Sequence, residues 1–151
     1  MDISSVLKTQ HIKLKMSART KTEAIEELTD LLVQGGCVSD KAQFLRDVWQ
    51  REAQGTTGFE NHIALPHGTS SAVSQTALAI GRSPQGIDWQ VEDGSDIRCI
   101  ILYAICSDAP NTDHLRLLTQ VSCALADEAI IAQLLAANEP QSIIAMLNQP
   151  S

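Results

Sequence analysis

The residues best suited to chemistry lie between Arg51 and Gly68, with one more at His114. His67 stands between Pro66 and Gly68. Pro66 has no N–H to continue a sheet ladder, so the strand before it is expected to close there and leave His67 at its tip. Gly68 lacks a Cβ, which would let a bulky group approach the backbone and ring of His67. A structural histidine in a turn is the plain alternative. Arg51 could present a planar fork of donors to phosphate oxygens, or simply pair with the negative end of its own helix. Thr56 and Thr57, in the glycine-flanked loop Gly55-Thr56-Thr57-Gly58, could offer hydroxyls and amides to the same oxygens or merely form the turn. His114 falls in the first turn of a helix expected to begin near Thr112 or Asp113. There the positive helix end favours a neutral imidazole and attracts anions. A capping or surface histidine is the alternative. Taken together, two histidines, an arginine and a helix N-terminus describe a phosphoryl site.

Three other chemistries fit less well. His62 and His67 are an odd number of residues apart in a strand-like segment, so alternation would place them on opposite faces and not around one metal. No Cys–His or carboxylate–histidine spacing supports a metal site either. A serine hydrolase would need a G-x-S-x-G elbow, which does not occur; Ser70 and Ser71 merely follow the His67 turn. A nucleotide fold would need G-x-G-x-x-G or a Walker lysine, and neither is present.

These residues need a scaffold, and the pattern of the chain predicts one. His11–Met16 alternates as a half-buried strand. Thr20-Lys21-Thr22-Glu23 forms a capping box before Ile25, Leu28 and Leu32, and Gly35-Gly36 supplies a left-handed stop. A second helix is expected from a Ser39 cap to near Glu52, with Phe44, Leu45, Val48 and Trp49 on one face. Strands are expected at Asn61–Leu65, Thr76–Gly81 and Ile97–Cys106, the last continuous enough to be a buried central strand. Ser83-Pro84-Gln85-Gly86 and Glu92-Asp93-Gly94 carry turn chemistry. Leu117, Leu118, Val121 and Leu125 mark the inward face of the His114 helix. Two more helices follow, one from Asp127 and one capped by Asn138 with Pro140 just inside. The order predicts an α/β fold: a mixed sheet with helices on both faces, in one domain over residues 1–151.

Composition narrows the partners. The 151-residue chain is 44% hydrophobic and 3% aromatic, so its core must be aliphatic. Stacking platforms for single-stranded nucleic acid are not expected. A net charge of −7 argues against unspecific binding of nucleic acid or anionic lipid. No apolar run reaches the roughly 20 residues that span a bilayer, and Met1–Thr9 lacks the features of a secretory signal. The four cysteines form no CxxC pair and are expected as buried free thiols, giving a cytoplasmic working class.

From Gly58 to Gly68 the sequence reads Gly-Phe-Glu-Asn-His-Ile-Ala-Leu-Pro-His-Gly. This stretch resembles the IIA domains of the bacterial phosphoenolpyruvate:sugar phosphotransferase system, in the mannitol/fructose class (EIIA type 2). Arg51-Glu52, Gly86-Ile87-Asp88-Trp89 and His114-Leu115 extend the resemblance over nearly the whole chain. The residues around Asn61 and His62 depart from the mannitol-type pattern, and Cys106 stands in a loop entry often occupied otherwise. The resemblance implies that His67 accepts the phosphoryl group, His114 orients it and Arg51 neutralises its charge. Thr56, Thr57 and Gly68 would complete the phosphate-binding set. It also implies a donor, phospho-HPr, and an acceptor cysteine on a cognate IIB domain, in the uptake of a fructose-like sugar or hexitol. No cofactor, metal, nucleic acid or membrane insertion is implied. A regulatory nitrogen-type IIA protein, signalling through the same histidine, is the alternative. A non-catalytic binding module on this fold is disfavoured by the intact Arg51/His67/His114 set.

Overall fold

The computed structural model describes residues 3–55, 57–58, 62–89, 96–108 and 111–148, the side chains at 111–113 excepted. Thr56, Asn61 and the Glu92-Asp93-Gly94 turn lie outside the described residues. In chain order the elements are β1 (Ile12–Lys13), α1 (Lys21–Gln34), α2 (Lys41–Glu52), β2 (Ile63–Ala64) and β3 (His67–Ser70). Then come β4 (Ala77–Ile87), β5 (Ile97–Cys106), α3 (Asn111–Leu125), α4 (Glu128–Ala136) and α5 (Pro140–Leu147).

The run Ile97–Cys106 is a strand over its whole expected length and lies in the middle of a mixed sheet. It is antiparallel to β4 on one side and parallel to β2 and β3 on the other; β1 pairs parallel with β4 beyond. Its residues serve both faces. Cys99, Ile101, Tyr103 and Ile105 join Leu117, Val121, Leu134 and Leu147 of α3–α5 in one apolar layer. Ile100, Leu102 and Ala104 join Ile25, Leu28, Phe44 and Val48 of α1 and α2 in the other. A strand covered on both faces has no polar side to alternate with, which is why it is buried without a break from Cys99 to Ile105. Each fully buried aliphatic side chain of these layers contributes about 1.5–3 kcal/mol. Helices cover both faces of the sheet, as the element order predicts.

Several local expectations are corrected. His11–Met16 is not one strand: His11 closes a 3-10 turn, and only Ile12 and Lys13 pair with β4. The helix α2 is capped by Asp40, whose carboxylate accepts from Gln43 N at 3.1 Å; the Ser39 hydroxyl donates to Ala72 O instead. Glu139, not Asn138, occupies the cap position of α5, with Pro140 in the first turn. Thr20 and Asp127 cap α1 and α4 as expected, and Gly36 is the left-handed residue after α1 (φ 81°). Ser83-Pro84-Gln85-Gly86 does not turn the chain. It lies within β4, where the register with β5 shifts between Arg82 and Ile87, and Gly86 takes φ 79°. The residues of a turn here make an irregularity in the ladder, which tolerates a proline without an N–H.

Pro66 does not end the sheet either. Ile63 lies opposite Cys99 and His67 opposite Tyr103, so β2 and β3 hold one register on β5 across the Leu65-Pro66 break. Tyr103 N donates to Pro66 O at 2.9 Å, which carries the pairing through the proline. The missing Cβ of Gly68 faces the core. An added methyl would lie 2.8 Å from Val48 Cγ2 and 3.3 Å from Val48 N, so the glycine lets α2 approach β3. Cys37 and Cys99 are buried, but Cys106 is half-buried and Cys123 exposed, so only two of the four free thiols are interior. Among the described residues no single helix is long and apolar enough to cross a membrane.

Candidate functional site

His67 opens β3 beside Tyr103, and parallel partners in register point to the same face. Its ring therefore lies toward α3, packed edge-on against Tyr103 with centroids 5.9 Å apart and planes at 81°. The ring's Nδ1 is 2.9 Å from Leu65 O. A carbonyl can only accept, so Nδ1 carries the proton and Nε2 is left with its lone pair.

Leu65 does this because it sits in the gap between β2 and β3. Its N–H donates to Thr57 O at 2.9 Å, and its carbonyl accepts from the His67 Nδ1–H. Gly58 bridges Ala64 in the same antiparallel stretch, so the loop after α2 is laid along the strand leading to His67.

Arg51 and His114 are both near enough to act on the His67 ring electrostatically. Burial, foremost, lowers the His67 pKa from 6.5; the Leu65 bond raises it, the Arg51 and His114 charges lower it and Glu52 raises it. Arg51 lies in the last turn of α2, with one guanidinium nitrogen donating to Gly55 O at 3.1 Å. His114 is half-buried in the first turn of α3, as expected from the sequence. The charges of Arg51 and His114 thus reach the His67 ring, although α2 and α3 pack against opposite faces of the sheet.

The other three expected phosphate ligands fare differently. Thr56 lies outside the described residues. Thr57 is only 3% exposed, and its hydroxyl is engaged with Glu52 and with Trp89 Nε1. That hydroxyl faces inward, so the expectation that it meets phosphoryl oxygens is corrected. Gly68 makes room for α2 rather than for an arriving group.

Glu52 is the residue that sequence reasoning passed over. Its side chain is 3% exposed and pairs with Lys21 Nζ at 2.6 Å. Its position directly after Arg51 was the available signal; nothing in the spacing pointed to Lys21. His62 is also placed differently from expectation. It is in a turn at φ 67°, outside β2, so strand alternation does not separate it from His67. Its Nδ1 contacts Asp96 O at 2.8 Å and Asp96 Oδ1 at 3.0 Å, while the His67 ring bonds Leu65.

The lowered His67 pKa has a testable consequence. The His67 ring should be less than half protonated at pH 6.5, where a free imidazole would be half protonated, and Nε2 should lose its lone pair only at lower pH. Stability changes in the same window. Between the lowered folded-state value and 6.5 the unfolded chain binds more protons, so stability drops as pH falls through it. His11, lowered chiefly by burial, adds to the same trend. Nitrogen-15 NMR of the ring and thermal midpoints measured from pH 5 to 8 check both; a ring already half protonated at pH 6.5 would contradict the first.

The chain is similar to known proteins both in sequence and in fold. The family described as "Phosphoenolpyruvate-dependent sugar phosphotransferase system, EIIA 2" matches residues 5–149. A PTS system fructose-specific EIIABC component from Bacillus subtilis is 34% identical over 149 residues, which are 99% of this chain and 23% of that protein. The chain thus spans about a quarter of that relative's length. Among solved structures, the nitrogen regulatory protein IIA-Ntr from Neisseria meningitidis aligns with a TM-score of 0.88 at 24% identity, over 96% of this chain and 98% of that one. That likeness concerns the fold. The complex of enzyme IIAMTL with phosphorylated enzyme IIBMTL from Escherichia coli aligns with a TM-score of 0.78 at 26% identity, over 94% and 98%.

Proposed function

Because the chain belongs to the EIIA 2 family of the phosphoenolpyruvate-dependent sugar phosphotransferase system, we propose that it carries a phosphoryl group on His67 Nε2. The group comes from phospho-HPr and passes to a cysteine of a cognate IIB domain, toward uptake of a fructose-like sugar or hexitol. One observation carries this reading: the Leu65 carbonyl holds the proton on Nδ1, leaving Nε2 as the nucleophile within the electrostatic reach of Arg51 and His114.

In the first transfer the N–P bond of phospho-HPr breaks as the Nε2–P bond forms, and the proton stays on Nδ1, donated to the Leu65 carbonyl. In the second, the Nε2–P bond breaks as the cysteine thiolate takes the phosphorus. Little covalent work falls to the protein; placement and charge stabilisation dominate. Arg51 meets the equatorial oxygens, His114 donates to one of them, and the amides at the start of α3 face the same charge. The sugar reading is favoured over nitrogen-type regulation by the 34% identity to a fructose-specific relative.

Incubated with phosphoenolpyruvate, enzyme I and HPr, the chain should acquire acid-labile, base-stable phosphate. A chase with a fructose- or mannitol-type IIB domain should then move the label to that domain. No uptake from phospho-HPr would overturn the carrier role, and label that no such IIB domain removes would overturn the transport role.

A further inference from the structure

A continuous line of directed hydrogen bonds runs from α1 to the His67 ring. Lys21 Nζ donates to Glu52 Oε2 at 2.6 Å, and the Thr57 hydroxyl lies against Glu52 Oε1. Trp89 Nε1 reaches the same hydroxyl oxygen at 3.4 Å. Thr57 O then accepts from Leu65 N, and Leu65 O accepts from His67 Nδ1. We propose that Glu52, held by Lys21, is a positioning residue that sets the orientation and tautomer of the His67 ring through Thr57 and Leu65.

Bond directions leave one arrangement. Ammonium and indole N–H groups only donate, and an ionised carboxylate only accepts. The Thr57 oxygen therefore accepts from Trp89 and gives its single proton to Glu52. With Thr57 turned this way, its carbonyl meets the Leu65 N–H, and the Leu65 backbone torsions then aim the carbonyl of the next peptide unit at the ring. With the Leu65 N–H released, the torsions of Leu65 can change, its carbonyl swings away and the Nδ1 proton loses its acceptor. The other tautomer then places a proton on Nε2, where the lone pair must be. Lys21 has a second effect. Glu52 is a buried anion near a site that receives a dianion, and the ammonium neutralises it.

The inference rests on His67 being the acceptor, but it can be read without any phosphoryl donor. Nitrogen-15 NMR of the unphosphorylated protein reports the His67 tautomer directly. The wild type should show Nδ1–H alone, whereas Glu52→Gln and Thr57→Val should show a mixture of tautomers. In transfer from phospho-HPr, both variants should lose roughly 10- to 100-fold in kcat, as expected for a misaimed nucleophile. The KM for phospho-HPr should stay within about twofold, because docking is untouched. Thr57→Ser, which keeps the hydroxyl, should retain the wild-type ring signals and kcat. Wild-type ring signals in Thr57→Val would overturn the inference, even with a reduced kcat, since the loop would then act without the ring. Thr57→Val decides the matter alone should Glu52→Gln fail to fold. A wild type that accepts no phosphoryl group would sink the carrier reading, while the ring signals still test this one.

Discussion

Replacing His67 by glutamine should reduce phosphoryl uptake from phospho-HPr to background, a loss of at least ~10³-fold. Glutamine can still donate an amide hydrogen to Leu65 O and pack near Tyr103, but its amide nitrogen has no lone pair to attack phosphorus. Circular dichroism and the urea midpoint should stay close to wild type, because His67 is only half-buried at the edge of the sheet. In the wild type the label should be on Nε2, since Nδ1 is committed to the Leu65 carbonyl at 2.9 Å. Tryptic mapping and phosphorus–nitrogen NMR locate it. Label arriving at the normal rate on His114 in the His67→Gln protein would refute the assignment.

Arg51→Ala should slow the same transfer by roughly 10- to 100-fold, the equivalent of about 1.5–3 kcal/mol for a hydrogen bond to a charged group. One arm of the guanidinium is anchored on Gly55 O, which leaves the rest of the fork for the phosphoryl oxygens. Lysine carries the charge without that fork, so Arg51→Lys should recover only part of the rate. The anchoring bond is exposed, so neither variant should move the thermal midpoint much. Wild-type single-turnover kinetics in Arg51→Ala would remove the residue from the mechanism.

The parts of the fold that were legible from the sequence are those in which a single physical pattern acts alone. Ile97–Cys106 has no competing signal, and its bounds are the expected ones. The capping box at Thr20 and the Asp127 cap were equally plain. Expectation failed where one residue type serves two geometries. Pro84 and Gly86 are turn residues, yet here they absorb a register shift inside a long strand. Pro66 lacks an N–H, yet its carbonyl continues the pairing. At the site, His67, Arg51 and His114 each have an ordinary structural reading alone, and only the Gly58–Gly68 stretch with Arg51-Glu52 and His114-Leu115 singled them out together. Glu52 and Lys21 were not, since an ion pair between residues on separate helices leaves no spacing to detect. Thr57 was assigned to the phosphate because a glycine-flanked threonine looks available, and only its burial shows otherwise.

The chain has two tryptophans, and the Lys21 ammonium stands 5.8 Å from the Trp49 ring and 5.1 Å from the Trp89 ring. All the indole emission of this protein therefore originates in one small corner, beside the ammonium that Glu52 holds. Emission should change when the Lys21–Glu52 pair is disturbed, so a fluorimeter can report on that pair without any attached dye.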